Sequence, residues 1–199
     1  MTDLLIYNGP AVAEAEVTRT GGVPSAPADF GWPRCAACEG PMKFVAQVVL
    51  DASTILSIFL CQNDPGLCDE WDPLSGGNRA LLFRRGDLVP APVPDGDETQ
   101  LGEVCGIEVK AVDADGYDEA RGKWSAETGC PEAEILGMVG GAPAWLQDDE
   151  TPVCPVCTTV MEFAVQLEEG RDQSINFGSG CGYAFVCRAC ERGRFLFQC

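Results

Sequence analysis

The sequence predicts a mainly β protein: two duplicated β units, each pinned by a four-cysteine, zinc-ribbon-like site, packed into one compact body. Three observations carry this expectation. Short motifs recur at a constant offset of 119 residues, three CxxC pairs stand among twelve cysteines, and β-branched and aromatic runs dominate while a sustained 3.6-residue period is scarce. The repeat is read from three blocks. Gly21-Gly22-Val-Pro24 recurs as Gly140-Gly141-Ala-Pro143, Cys35-Ala-Ala-Cys38 as Cys154-Pro-Val-Cys157, and Met42-Lys-Phe44-Val-Ala-Gln47 as Met161-Glu-Phe163-Ala-Val-Gln166. The offset then drifts, with Ile58-Phe59-Leu60-Cys61 answering to Ala184-Phe185-Val186-Cys187.

Taken in order, residues 1–88 hold an N-terminal strand and the first unit. A Gly-Gly-x-Pro turn leads through a loop to the first CxxC. Strands are then expected over Met42–Leu50, Ile55–Cys61 and Ala80–Arg84, where apolar, β-branched residues alternate roughly with polar ones. Residues 89–102 are Pro-rich and acidic and read as an exposed, extended linker. Within 103–138, Glu103–Val112 reads as a strand, and Pro131-Glu-Ala-Glu-Ile-Leu-Gly as a short helix with Pro at its first position. The second unit, 139–199, repeats the grammar with strands over Met161–Leu167, Tyr183–Cys187 and Arg194–Gln198.

The cysteine spacing points to metal. Cys154-x2-Cys157 and Cys187-x2-Cys190 are separated by 29 residues, the arrangement of a closed site in which two strand-end turns present four thiolates to Zn²⁺. The first unit offers Cys35-x2-Cys38 with Cys61 and Cys68, whose wider spacing encloses the turn-forming Gln62-Asn-Asp-Pro-Gly-Leu67. Two structural zinc ions per chain follow. Redox catalysis of the thioredoxin kind needs its first Cys at a helix N-terminus, whereas these pairs run into strands. Rubredoxin-type iron would use the same four sulfurs, but its knuckles place Gly soon after the second Cys, where this chain has Glu39, Asp69, Thr158 and Glu191.

Other features are read more plainly. Cys105 in its apolar strand is a small buried hydrophobe, Cys181 lies close enough in sequence to the second site to compete as a ligand, and Asp113–Glu119 is a solvated acidic loop. Arg188, Arg192 and Arg194 offset thiolate charge, and Trp32, Trp71 and Trp145 pack beneath the knuckles.

Net charge is −18 with no histidine. Such a surface repels phosphate backbones, so no nucleic-acid partner is expected, and the missing histidine removes Ser-His-Asp and Cys-His catalysis. No apolar run reaches membrane length and the N-terminus lacks the basic lead-in of a signal peptide, so a cytoplasmic protein with free thiols and no membrane partner is expected.

Gly21-Gly22-x-Pro24, Trp32-Pro33 and Phe44-Val-Ala-Gln47 resemble the YwqG-like family of bacterial proteins, and Gly140-Gly141-x-Pro143-x-Trp145-Leu-Gln is similar to that family's other motif. CxxC before the Phe-x-x-Gln strand, followed by Phe59-Leu-Cys61-Gln-Asn, resembles programmed cell death protein 2 and its relatives. The second resemblance implies a cytosolic chaperone of a basic ribosomal client. This chain differs in having more cysteines than the first family and no His-containing zinc module. The expected function is a non-enzymatic, acidic, zinc-stabilised module that binds a basic protein partner as a carrier or as a neutraliser of the immunity-protein kind. The alternative is a redox or hydrolytic enzyme with an open site near Cys181.

Overall fold

Ten of the twelve strands form one antiparallel sheet in the computed structural model, which describes residues 1–95, 101–170 and 175–199. In chain order they are β1 (Thr2–Pro10), β2 (Arg19–Thr20), β3 (Ser25–Ala26), β4 (Lys43–Val49), β5 (Thr54–Leu60), β6 (Asn78–Arg84), β7 (Val89–Pro90), β8 (Cys105–Val112), β9 (Ile135–Val139), β10 (Glu162–Leu167), β11 (Cys181–Cys187) and β12 (Arg192–Gln198). Among the described residues one α-helix, α1 (Tyr117–Thr128), joins β8 to the turn before β9. The sheet order is β12-β11-β10-β9-β1-β8-β2-β4-β5-β6, and β3 pairs with β7 in a separate ribbon.

That order carries the duplication further than the motifs do. β4-β5-β6 at one end answers to β10-β11-β12 at the other, and β2 answers to β9, each ending at its Gly-Gly turn. The two leading strands cross over. β1 pairs with β9 of the second copy, β8 pairs with β2 of the first, and β1 and β8 pair with each other at the centre. Each copy therefore completes the other's half, and the two fold as one interlocked unit. The ends of the sheet also meet. Arg194 Nη1 donates to Pro73 O at 2.6 Å, and a Cβ at Gly193 would lie 2.5 Å from Ala80 O, so glycine is required where β12 passes β6.

Inside this nearly closed sheet lies a core drawn from both copies, including Val45, Val48, Leu56 and Ile58 of the first and Val165, Leu167, Phe195 and Phe197 of the second. The Phe-x-x-Gln strands contribute to it through equivalent β-bulges, at Phe44/Ala46 and Phe163/Val165. A bulge breaks strict alternation, so Phe44 and Phe163 face outward to the cysteine knuckles while the following residues face the shared core.

Three expectations are corrected. The segment 131–137 is not a helix: Glu132–Glu134 make one 3₁₀ turn and Ile135 begins β9, whose first four residues are buried between β1 and β10. Burial on both faces of a sheet outweighs the local helix signal of Pro131-Glu-Ala-Glu. The acidic stretch 113–119 is only partly loop, because Asp118 and Glu119 form the first turn of α1, where negative side chains suit the helix dipole. That helix gave little signal, since Tyr117, Ala120 and Trp124 alone are buried along it. The linker expectation meets β7, which pairs with Ser25–Ala26, and residues 96–100 of it lie outside the described residues.

Candidate metal centres

Each first knuckle is a tight turn closed by its own backbone. Cys35 N–H donates to Gly40 O at 3.0 Å and Glu39 N–H to Cys35 O at 3.0 Å. In the second copy Cys154 N–H donates to Thr159 O at 2.8 Å and Thr158 N–H to Cys154 O at 2.9 Å. Arg34 bridges to Pro41 and Val153 to Val160 across the two turns. The residue after the last cysteine of each pair is left-handed: Glu39 (φ 60°), Asp69 (φ 48°), Thr158 (φ 60°) and Glu191 (φ 52°). These are the four positions where the sequence lacks the glycine of a rubredoxin knuckle. Left-handed backbone costs a residue with a Cβ roughly 1–2 kcal/mol, so four such turns at four matching places persist because the surrounding fold demands them.

The eight predicted ligands come together as predicted. Cys35, Cys38, Cys61 and Cys68 form one group and Cys154, Cys157, Cys187 and Cys190 the other, with the sulfurs of each group within 4.8 Å of one another. Cys38 Sγ and Cys61 Sγ are 3.7 Å apart, as are Cys157 Sγ and Cys187 Sγ. A tetrahedron with arms of about 2.3 Å has edges of about 3.8 Å, the S–S separation of a four-thiolate zinc site. A disulfide needs about 2.05 Å, and all twelve cysteines are free. Both groups fit a tetrahedral metal ion.

The protein prepares these sulfurs. Burial opposes ionisation of Cys38, yet hydrogen bonds from Asn63 Nδ2 (3.3 Å) and the Gly40 backbone bring its thiol down to about 7. Hydrogen bonds from the Thr159 side chain and backbone bring Cys157 down to about 6. Burial and neighbouring thiols push Cys61 up to about 11, and crowding by Cys157 together with burial pushes Cys190 up to about 12. Backbone hydrogen bonds from Cys157 and Val156 also lower Cys154. The first cluster thus has one thiol ready to ionise and the second has two, and a divalent cation would draw off the remaining protons. Asn63 and Thr159 carried no signal in the sequence. Neither did Glu70, which accepts Gly66 N–H at 2.6 Å and so folds the wide loop between Cys61 and Cys68.

Aromatic rings floor both sites. Trp32 stands edge-on to Phe59 (5.5 Å between centroids) and donates Nε1–H to Met42 O at 2.8 Å, while Trp145 stacks on Phe185 at 5.7 Å. Trp71 departs from the expected packing and is 43 % exposed. Its backbone carbonyl, not its ring, meets the second copy, accepting Phe197 N–H.

Two further expectations change. Cys181 is no competitor for the second site: it is buried against Glu168, and burial and that carboxylate push its thiol up to about 12. Arg188 pairs with carboxylates instead of thiolates, with Asp51 of the first copy at 2.7 Å and Glu162 at 3.4 Å. It lines a groove of about 670 Å³ between the copies together with Arg84 and Arg85, which pair with Glu191 and Glu16. The groove's cations are therefore neutralised, and Arg84 and Arg188 clamp one copy to the other while Arg85 pairs within the first. Cys105 is half-buried at the start of β8.

The buried glutamines explain the paired motifs. Gln47 Oε1 accepts Ser25 N–H at 3.1 Å and Gln166 Oε1 accepts Ala144 N–H at 3.0 Å, in each case the residue after the Gly-Gly-x-Pro turn. Phe-x-x-Gln and Gly-Gly-x-Pro are thus two halves of one contact.

No protein-family model and no solved structure matches the chain. A stretch of 63 residues, 32% of this chain, is 38% identical to the uncharacterized protein YpfL of Salmonella typhimurium, and the chain spans 15% of that protein's length. Among the described residues no helix is long and apolar enough to cross a membrane.

Proposed function

We propose that this protein is a non-enzymatic, cytoplasmic binding module, stabilised by two zinc ions, that carries or neutralises a basic partner protein. The observation that carries the proposal is the closure of both ligand sets. Four sulfurs at tetrahedral separation fill every vertex around an ion, whereas a catalytic zinc keeps one vertex for water. Zinc suits four closely packed thiolates without redox change, and its binding energy becomes folding energy.

The remaining thiol chemistry supports the same reading. A reactive cysteine needs a lowered pKa and access, and Cys181 has neither. A surplus of 18 negative charges creates a field that accelerates encounter with a cationic protein and fades with salt over about 8–10 Å. The likeness of the CxxC before the Phe-x-x-Gln strand, with Phe59-Leu-Cys61-Gln-Asn after it, to programmed cell death protein 2 and its relatives, which implies a carrier of a basic client, points the same way.

The test is a pull-down from the native host with metal-loaded protein at low and physiological salt, with metal measured on the same sample. A basic protein whose association slows as salt rises is the expected result. A neutral or acidic partner, or turnover that depends on a cysteine, overturns the proposal.

A further inference from the structure

The first knuckles of the two copies share a backbone and differ in their cover. In the first copy, loop 62–77 lies on the knuckle. Asn63 Nδ2 donates to Pro41 O at 3.3 Å, Ala36 N–H donates to Gly76 O at 3.1 Å, and a Cβ on Gly76 would stand 2.7 Å from Ala36 Cβ. Pro41 is buried as a result. In the second copy the corresponding connection is the single turn Arg188–Cys190 between β11 and β12. Val153, Val156 and Val160 are left 55%, 61% and 65% exposed. The turn itself does not call for valine, because the first copy makes the same hydrogen bonds with Arg34, Ala37 and Pro41 at these positions. Three β-branched apolar side chains on one protruding turn, two of them directly opposed, form a patch that another chain would cover.

The surrounding charge selects that chain. Residues 144–170 contain no Lys or Arg and six carboxylates: Asp148, Asp149, Glu150, Glu162, Glu168 and Glu169. The exposed run Asp148–Glu150 leads into Val153, and Glu162, 61% exposed, follows Val160 by two residues. Arg188 is already held by Asp51 and Glu162. An acidic segment, or a second copy of this chain, would meet like charge here.

We infer that the knuckle Val153–Val160 is a docking surface for a basic segment with apolar side chains on a partner protein. The segment covers Val160 as loop 62–77 covers Pro41 and extends over Val153 and Val156, whose counterparts Arg34 and Ala37 stay exposed in the first copy. This rests on the proposed function and locates its contact: apolar burial on the valines and complementary charge at the rim.

The experiment measures fluorescence anisotropy of three synthetic 12-residue peptides with the metal-loaded full chain. The peptides alternate Val with Lys, Val with Glu, or Ser with Lys. The Val/Lys peptide is expected to bind at least tenfold more tightly than the other two. The triple variant Val153→Thr, Val156→Ala, Val160→Thr should lose that binding tenfold while retaining both metal ions, which shows that the knuckle is folded. Absence of Val/Lys binding, equal binding by the Val/Glu peptide, or unchanged binding by the triple variant overturns the inference. So does a wild-type dimer in sedimentation that the triple variant abolishes, since the occupant would then be a second copy. The two proposals fail separately. A salt-sensitive basic partner captured equally by the triple variant removes the knuckle and leaves the function standing. Peptide binding as expected with no basic partner in the pull-down removes the function.

Discussion

Replacing Gln47 by Met tests whether one buried amide holds the first copy's turn, with the second copy as an internal control. Gln47 is fully buried. It accepts Ser25 N–H at 3.1 Å and a contact from Arg19 Nη2 at 3.4 Å, and it donates to Ala15 O at 2.6 Å and Val17 O at 2.8 Å. Methionine keeps the length of the side chain and removes every bond. The Ser25 N–H is then stranded in the interior, which costs about 2 kcal/mol, and the two carbonyls, nearer the surface, cost about 0.5 kcal/mol each after rehydration. The sum is about 3 kcal/mol. Gln166 is buried too, but it accepts from the half-buried Ala144 N–H and reaches Cys181, so Gln166→Met should cost about 1 kcal/mol. Urea denaturation of the metal-saturated protein reads both, provided the m-value is unchanged. In thermal melts the two variants should fall by about 6–12 °C and about 2–4 °C for a chain of this size. Equal losses, or a loss under about 1 kcal/mol for Gln47→Met, would refute the claim that the motif pair is a single hydrogen-bonded contact.

Other consequences are open to direct measurement. Elemental analysis should find two zinc ions per chain; Cys157→Ser or Cys187→Ser should remove one and leave an aggregation-prone product, whereas Cys130→Ser and Cys199→Ser, at exposed thiols, should be nearly silent. Thr158→Gly should raise stability by about 1 kcal/mol in urea denaturation, because it relieves a β-branched residue at φ 60°; a loss instead would mean that the Thr158 hydroxyl bond to Cys157 O outweighs the strain. Stability should fall as pH rises above about 9. Burial and Glu168 raise the Cys181 thiol from 9.0 to about 12, so the folded state holds a proton that the unfolded chain releases between those values, and stabilisation present below pH 9 is lost through that window. Tyr117, also raised by burial and by Glu168, adds to the same slope. Denaturation midpoints between pH 8 and 11 should flatten in Cys181→Ala.

The metal centres were legible in the sequence because their chemistry is local. Spacing places two sulfurs on one turn, and the repeat says which turns belong together. The wide loop of the first site could be recognised by its turn residues, yet the Glu70 carboxylate that folds it, and the Asn63 amide on its sulfurs, depend on contacts that no motif encodes. The strands of each copy were likewise legible, with their ends within a few residues of those found. What escaped was long-range. That β1 would pair with β9, and β8 with β2, is a matter of which edge is free when the copies meet, and neither strand carries a mark of its partner. β9 shows the cost of reading locally, since Ile135–Met138 is strand only because two neighbours bury it.

The differences between the copies show how duplication was resolved into two roles. Arg19 and Met138 occupy equivalent places, each two residues before its Gly-Gly. Arg19 is wholly buried and has no carboxylate partner among the described residues; it donates to Gly21 O and Val23 O and lies 5.4 Å over the Phe44 ring, and burial lowers its pKa to about 10, so it stays charged at neutral pH. A guanidinium there holds the turn by its carbonyls and the ring by its charge. Met138 cannot do this, and the second copy does not ask it to. It lies in one apolar cluster with Phe163, Tyr117, Ala120 and Trp124, so α1, which has no counterpart in the first copy, covers that face by packing. The first copy thus secures itself from within, with a buried cation and loop 62–77 over its knuckle. The second is covered by α1 on one face and left open at Val153–Val160. If that division is correct, Arg19→Met should destabilise the first copy's turn by leaving two carbonyls without donors, while deletion of apolar contacts at Trp124 should loosen the second copy alone. Hydrogen exchange at Gly21–Val45 and Gly140–Ala164, the bonds beside each turn, separates the two effects. Loss of protection at both turns in either variant would show that the copies share one brace.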